Sequence, residues 1–230
     1  MAAVMLTLIV LTFNMISSSQ EVVHKTAFGE TIDLKLPDGT SVVLNGNSEI
    51  RYNKENPRDV SLKGEAYFKV KPKYSTHAKF WVNTEDLRVE VYGTQFNVNT
   101  RNKKTDVVLD EGSIHLLLKN GTSEKMLPGE FVSYSDKNKI VTHKVVNEEL
   151  PYALRRGETY MFNKMKLGEV MKYIEHTYGI PSEYGDAALE GKIISGGIPS
   201  ENLEICLMAI QKATGIKIVT KEHTLLIFNQ

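Results

Sequence analysis

The stretch VEVYGTQFNV, residues 89–98, decides the fold prediction. Apolar and polar residues alternate through it, as in a β-strand with one buried face, but Gly93 interrupts the alternation. A glycine inside a strand marks a bulge, a turn or a close approach of backbone. No basic or catalytic residue adjoins Gly93, so we interpret Gly93-Thr94 as a structural bend rather than a ligand loop. We predict that the strand turns a corner or changes sheets there, with Thr94 bonding the freed backbone.

Further strand-like segments surround this stretch from residue 21 to residue 146. They recur every 10 to 15 residues without a helical period, and tight turns such as PDG at 37–39 separate them. Regular spacing of this kind is typical of a sandwich, a barrel or a solenoid. The sequence therefore predicts an all-β domain over 21–146, either an antiparallel sandwich or solenoid-like.

The pattern changes after residue 146. Residues 147–158 are predicted to be a linker, and residues 159–230 a small α+β domain. Two segments, 165–179 and 201–215, place apolar residues on one helical face and end in Gly179 and Gly215, as C-capped helices do. The segments are offset by 36 residues, so we interpret the domain as a doubled β-α-β unit, with Ser200 expected to cap the second helix.

Residues 1–19 carry no charge, and the apolar run ends at Ile16. Sixteen helical residues span about 24 Å, less than the roughly 30 Å hydrocarbon core of a bilayer. A secretory signal peptide would have this length, with cleavage near Ser17-x-Ser19, but it would carry a basic start. We favour a truncated transmembrane segment. Either interpretation places the remaining chain outside the cytoplasm.

Composition and motifs argue against several function classes. The chain has 28 basic and 28 acidic residues, so it has no electrostatic footprint for nucleic acid. One cysteine, Cys206, forms no internal disulfide, and the six histidines have no metal-ligand spacing. We predict no catalytic, cofactor-binding or metal-binding residue and no enzymatic activity. Glu65, Asp110 and Glu111 could supply a pair of catalytic carboxylates, but acidic residues in antiparallel strands mostly face water.

An alternative function is a periplasmic carbohydrate-binding or adhesion module. It would use an aromatic platform of Tyr67, Trp81, Tyr92 and Phe96. Phe80 and Trp81 are adjacent and so point to opposite faces of a strand, which leaves one of them in the core.

Five ordered blocks resemble the extracytoplasmic part of FecR-family anti-sigma regulators. They are LPDGTSVVLNGNSEIRY (36–52), VSLKGEAYFKV (60–70), VEVYGTQFNV (89–98), LDEGSIHL (109–116) and LPGE (127–130). The doubled unit at the C-terminus resembles, more loosely, the STN-like domain that ends such regulators in Bacteroidetes-type chains. We expect structural roles for the signature residues Gly64, Glu65, Tyr67, Phe68, Val70, Gly93, Thr94, Phe96, Glu111, Gly112, Pro128 and Gly129.

The resemblance implies a signal relay across the periplasm. The signalling domain of a TonB-dependent outer-membrane transporter would contact this chain, with region 159–230 favoured as the partner-binding part. The chain would sit in the inner membrane as a single-pass protein with its bulk in the periplasm. The family binds an extracytoplasmic-function sigma factor through a cytoplasmic domain, which we expect upstream of these 230 residues or on a separate protein.

Overall fold

The computed structural model describes residues 20–145, 152–156, 159–200 and 202–230, with the strand at 152–156 described by its backbone alone. The predicted membrane segment at 1–19 lies outside the described residues, as do residues 147–151 and 157–158 of the predicted linker. Within the described ranges, no helix is both long and apolar enough to cross a bilayer.

Fourteen strands make up the described chain before residue 146. Their bounds are β1 (Glu21–Thr26), β2 (Ile32–Lys35), β3 (Ser41–Leu44), β4 (Ser48–Asn53), β5 (Asn56–Lys63), β6 (Glu65–Lys69), β7 (Phe80–Asn83), β8 (Leu87–Val91), β9 (Gln95–Asn99), β10 (Thr105–Glu111), β11 (Ile114–Leu118), β12 (Ser123–Met126), β13 (Glu130–Ser135) and β14 (Ile140–Val145). The first sheet has the order β1-β4-β5-β7-β8-β11-β12, and the second has the order β14-β13-β10-β9-β6-β3-β2. All pairs are antiparallel except β5 with β7.

The two sheets pack face to face around one hydrophobic core. Phe68 and Phe96 of the second sheet stack with ring centroids 5.1 Å apart, and Phe80 of the first sheet lies 6.1 Å from Phe68. All three side chains are fully buried. The mostly-β architecture predicted from the strand spacing is confirmed, and neither sheet closes into a barrel.

Each signature motif that contains a glycine lies where the chain crosses from one sheet to the other. Gly64 separates β5 from β6, Gly112 separates β10 from β11, and Pro128-Gly129 separates β12 from β13. The three glycines have φ angles of 89°, 96° and 82°, a region that side chains with a Cβ rarely adopt. These motifs therefore define the corners of the sandwich.

Gly93 lies at a fourth crossing, between β8 of the first sheet and β9 of the second, so the predicted change of sheet is confirmed. Glycine is needed here because a side chain would clash: a Cβ at position 93 would lie 2.7 Å from the Cβ of Pro72. Thr94 is buried, and its hydroxyl donates to the Ser113 carbonyl at 3.1 Å, which joins this crossing to the one beside Gly112.

The sandwich has two ends with different neighbours. At the proximal end, Gln20 meets the β4–β5 turn through the Lys54 amide, which donates to the Gln20 carbonyl at 3.0 Å. The strand registers put Lys79, Gly93 and Gly112 at this same end. The distal end carries the turns that follow β1, β3 and β9.

A smaller α+β domain follows the sandwich. Its elements are β15 (Tyr152–Arg156), β16 (Thr159–Lys166), α1 (Leu167–Tyr178), β17 (Ser182–Tyr184), a 3₁₀ helix (Ala187–Gly191), β18 (Ile193–Pro199), α2 (Leu203–Thr214), β19 (Ile216–Lys221) and β20 (Thr224–Asn229). They form two three-stranded sheets, β15-β16-β18 and β17-β20-β19. The strands that flank each helix thus lie in different sheets, and β15 lies within the range predicted to be a linker.

The two helices each have 12 residues and begin 36 residues apart. The predicted C-caps are confirmed, since Gly179 and Gly215 have left-handed φ angles of 73° and 66°. The predicted cap of the second helix is wrong. Asn202, not Ser200, caps α2, and its side-chain oxygen accepts the Ile205 N–H at 2.9 Å, because the strand β18 continues to Pro199 and delays the helix start.

We predict that Gly93→Ala lowers the free energy of unfolding by about 1–3 kcal/mol, because the added methyl group overlaps Pro72. Gly191→Ala is the matched control, since a Cβ there meets no atom within 4 Å. Urea unfolding followed by circular dichroism measures both. A Gly93→Ala variant as stable as the control variant would contradict this account of the crossing.

Candidate functional site at the junction of the two domains

The C-terminal domain packs on the distal end of the sandwich through the last turn of α1. The Gly29 N–H donates to the Thr177 carbonyl at 2.8 Å, and the Asn47 side-chain amide donates to the His176 carbonyl at 3.3 Å. A Cβ at Gly46 would lie 2.6 Å from the Thr177 carbonyl oxygen. The helix therefore approaches the distal turns more closely than a side chain at position 46 would allow.

Glu65 is the centre of this junction. It begins β6 on the outer face of the second sheet, since the core residues Ala66 and Phe68 alternate with it and Tyr67. An outer-face glutamate is normally solvated, but Glu65 is 0% exposed. The domain that covers this face therefore removes the carboxylate from water.

Three donors replace water around the Glu65 carboxylate. The Tyr173 hydroxyl donates at 2.6 Å, the Asn45 amide at 2.8 Å and the Asn97 amide at 3.1 Å. The two asparagines belong to the sandwich, whereas Tyr173 belongs to α1. Because a buried carboxylate is costly without hydrogen bonds, the sandwich depends on the second domain for one of the three.

Tyr173 is suited to this role by its surroundings. Its ring packs edge-on against Tyr160 and Phe162 at centroid distances of 5.3 and 5.7 Å. Burial, followed by the charge of Glu65, raises the pKa of the Tyr173 hydroxyl well above its usual value of 10. The hydroxyl therefore stays protonated and remains a donor.

Arg101 makes a second connection between the domains. Its guanidinium donates to the Thr177 hydroxyl at 3.0 Å and to the Gly46 carbonyl at 2.5 Å. The next two residues, Asn102 and Lys103, have left-handed φ angles of 60° and 57°. Such angles are costly for residues other than glycine, so the turn that presents Arg101 is held by its surroundings.

A cavity of about 370 Å³ lies beside these contacts, between the two domains. Its lining combines residues of the second sheet with residues of α1: Asn99, Arg101, Asn102, Lys104, Asp106, Phe131, Met165, Glu169, Lys172, Tyr173 and His176. Burial, then Arg101 and Lys172, lowers the pKa of His176. Among the described residues, no group of histidine, cysteine and carboxylate side chains could hold a metal ion.

The structure does not bring the candidate catalytic carboxylates together. The β9 register places Glu65 beside Asn99 and Glu111 beside Gln95, about 13 Å apart along the strand. Asp110 accepts the Tyr67 hydroxyl at 2.9 Å. Cys206 is buried, and desolvation raises the pKa of its thiol to about 12, which leaves little thiolate for chemistry.

The candidate aromatic platform is also not assembled. Phe96 lies in the core between the sheets. Trp81 alternates with buried residues of the first sheet, and the Arg88 guanidinium covers its ring at 3.8 Å. Tyr67 lies on the outer face of the second sheet. The four side chains therefore do not form the platform of the alternative function, because Tyr67 and Trp81 lie on the outer faces of opposite sheets and Phe96 points into the core.

The signature residues divide into three groups by position. Phe68, Val70 and Phe96 lie in the core. Glu65 and Tyr67 lie on the outer face of the second sheet. The other signature residues lie at or beside the sheet crossings: Gly64, Gly93, Thr94, Glu111, Gly112, Pro128 and Gly129. Glu65 is the signature residue that accepts a hydrogen bond from the C-terminal domain, so its role extends beyond the sandwich itself.

Sequence reasoning missed Tyr173 and Arg101. The apolar face predicted for α1 contained Leu167, Val170, Met171, Ile174 and Tyr178. Tyr173 and Thr177 are four residues apart and form a second, more polar stripe beside that face. A stripe of this kind on a helix with an already complete apolar face would have indicated a second packing surface.

Two family models match the chain. The model described as FecR protein matches residues 22–115, and the model described as FecR, C-terminal matches residues 159–227. Two crystal structures of a candidate anti-sigma factor from Parabacteroides distasonis ATCC 8503, at 1.65 and 2.50 Å resolution, have TM-scores of 0.71 and 0.69. Each is 26% identical and covers 91% of this chain and 99% of its own. Nothing among the curated proteins matches the chain.

We predict that Tyr173→Phe lowers the free energy of unfolding at pH 8 by about 1.5–3 kcal/mol, because the buried Glu65 carboxylate loses a donor. Tyr74→Phe is the matched control, since Tyr74 is 82% exposed and its change is expected to stay within about 0.5 kcal/mol. Urea unfolding of both variants is the measurement. Equal stability of the two variants would refute the role of the Tyr173 hydroxyl.

We also predict that the difference in the free energy of unfolding between wild type and Tyr173→Phe becomes smaller at alkaline pH. The folded protein holds the Tyr173 proton more tightly than the unfolded chain, because the pKa is raised on folding. As pH rises above about 10, the Tyr173 hydroxyl ionises in the unfolded chain, which lowers the free energy of unfolding of the wild type. Tyr173→Phe has no hydroxyl at this position, so its free energy of unfolding does not fall for this reason. Unfolding curves of wild type and variant between pH 8 and 10.5 test the prediction, which fails if their stability difference stays constant.

Proposed function

The chain belongs to the FecR family of anti-sigma regulators, and we propose that it is the signal-receiving part of such a regulator. In this proposal, the signalling domain of a TonB-dependent outer-membrane transporter contacts the C-terminal domain in the periplasm. The contact is relayed to an extracytoplasmic-function sigma factor. In this proposal, a cytoplasmic domain of the regulator binds the sigma factor.

The observation that carries the proposal is the buried Glu65–Tyr173 contact. If the C-terminal domain only carried a binding surface on a flexible tether, it would not need a buried polar contact with the sandwich. Here, a shift of α1 would remove a donor from the Glu65 carboxylate, so the position of the C-terminal domain is coupled energetically to the sandwich. A partner that binds one position better than another therefore changes both domains, with a typical coupling of about 1–3 kcal/mol.

The partner-binding element that we favour is β18, an edge of the sheet β15-β16-β18. Exposed edges offer unpaired backbone groups to another strand, and proteins usually protect them with charged residues. Of the eight edge strands in the described part of the chain, β18 is the one without a charged residue. Its sequence is IISGGIP, and Ile193 is 57% exposed. We infer that an extended strand of the transporter signalling domain pairs with this edge.

We further propose that the C-terminal domain is STN-like and that residues 1–19 anchor the chain in the inner membrane. Two equal helices with a 36-residue offset support the first part. The uncharged composition of 1–19 supports the second. Because Gln20 lies at the proximal end and α1 docks at the distal end, an anchored chain would hold the C-terminal domain on the side away from the anchor.

We predict that Ile193→Lys weakens binding of the transporter signalling domain by at least about tenfold, because a charge at a pairing edge opposes strand addition. Ile140→Lys is the matched control, since Ile140 is 60% exposed on β14, an edge strand of the sandwich. Pull-down followed by titration calorimetry with the purified signalling domain measures both affinities.

Two outcomes would contradict the assignment. Unchanged affinity of Ile193→Lys would exclude the β18 edge, and equal losses in both variants would indicate a nonspecific effect of added charge. Binding of the signalling domain to neither wild type nor variants would refute the proposed partner itself.

A further inference from the structure

The loop between β6 and β7 is an exposed basic and aromatic element at the proximal end of the sandwich. Residues 69–79, from the last residue of β6 to the residue before β7, have the sequence KVKPKYSTHAK, with four lysines and no acidic residue. Lys79 forms an ion pair with Glu90 at 3.0 Å. Tyr74 is 82% exposed, and Tyr92, from the Gly93 crossing, is 46% exposed. The two tyrosines help to line a small cavity of about 90 Å³ together with Pro72, Lys73, His77 and Ala78.

A buried arginine fixes the shape of this loop. Arg58 forms an ion pair with Asp38 at 2.5 Å, and both side chains are almost fully buried. Its remaining N–H groups donate to four backbone carbonyls, those of Lys71, Ala78, Lys79 and Tyr92. All five donors of the guanidinium are therefore used. The loop is held at both ends, and Tyr92 is held beside it, so the surface is preorganised although it is exposed.

The position of the loop decides which partner it fits. In the first sheet, Gln20 precedes β1, and Lys79 precedes β7, three strands away in the order β1-β4-β5-β7. At about 4.8 Å per strand, the loop lies about 14 Å across the proximal end from the residue that follows segment 1–19. A chain anchored by that segment would therefore bring the loop to the bilayer surface.

We propose that the loop Lys69–Lys79, with Tyr92, is a membrane-surface element that binds anionic phospholipid headgroups. Lysines extend their stems along apolar surface while the ammonium groups reach headgroup phosphates. Tyrosines are enriched in the headgroup region because the ring is apolar while the hydroxyl is polar and contacts water. The contact would fix the orientation of the sandwich, so that the distal C-terminal domain is presented away from the membrane. This inference rests on the anchor proposed for residues 1–19.

The test uses the full chain in lipid nanodiscs with a fluorescent reporter beside Tyr74. Ser75→Cys is exposed and takes an environment-sensitive maleimide, whereas Cys206 is buried and its thiol pKa of about 12 keeps it unreactive. Discs of phosphatidylcholine alone are compared with discs that contain phosphatidylglycerol. We expect a blue shift and increased emission in the anionic discs, reversed by high salt. A reporter at Ser123→Cys, at the distal end, is expected to show no lipid dependence.

The variants separate the loop from general charge effects. Lys71→Glu with Lys73→Glu is expected to abolish the lipid-dependent signal, and Tyr74→Ser to reduce it. Lys217→Glu with Lys221→Glu makes the same charge change on the exposed strand β19 and is expected to retain the signal. Equal signals in neutral and anionic discs, or loss of the signal in the β19 variant, would overturn the proposal.

Incorporation of the chain into neutral discs is measured separately, and it distinguishes the proposed anchor at residues 1–19 from the proposed lipid-binding loop. A chain that does not incorporate refutes the anchor and, with it, this inference, whereas a chain that incorporates without an anion-dependent signal refutes the loop alone. A signal that appears only after the transporter signalling domain is added would overturn the lipid assignment in favour of a protein partner.

Discussion

The buried carboxylate of Glu65 is the constraint on which the arrangement of the two domains depends. A carboxylate without water needs donors, and within the described part of the sandwich two side chains supply them, Asn45 and Asn97. The third comes from Tyr173 of the C-terminal domain. The signature residue at the start of β6 is therefore satisfied completely only when the domains are docked, which makes the junction a defined state rather than a loose contact.

The sandwich separates two tasks along its length. Its distal turns carry glycines where α1 approaches, and the outer face of the second sheet carries Glu65. Its proximal end carries the N-terminal connection and the loop that Arg58 holds. Short strands that pack on one core run between these two ends. The sandwich is therefore rigid, and a displacement at the junction is not absorbed by bending of the strands. This division fits our proposals that a partner binds the C-terminal domain and that residues 1–19 anchor the chain.

The sequence was sufficient to predict the local features that glycine and periodicity control. Gly93 marked a change of sheet, Gly179 and Gly215 marked helix ends, and the strand spacing indicated a mostly-β domain. It was not sufficient for the junction, because Glu65 and Tyr173 are 108 residues apart and no local pattern pairs them. The aromatic platform could not be judged for a related reason, since the sequence did not show that Tyr67 and Trp81 lie on opposite sheets and that Phe96 points into the core. The proposal that a partner binds the edge strand β18 also required the order of the strands in the sheet, which the sequence of a single strand does not show.

The Gly29 amide reports directly on the docking of the two domains, because its hydrogen bond to the Thr177 carbonyl crosses the junction. Its hydrogen-exchange rate, measured by NMR in wild type and Tyr173→Phe, reports how often the domains separate. If the Tyr173 hydroxyl holds the domains together, a loss of about 1.5–3 kcal/mol speeds exchange by roughly 10- to 150-fold. An unchanged rate at Gly29 in a folded variant would show that Tyr173 does not control the junction.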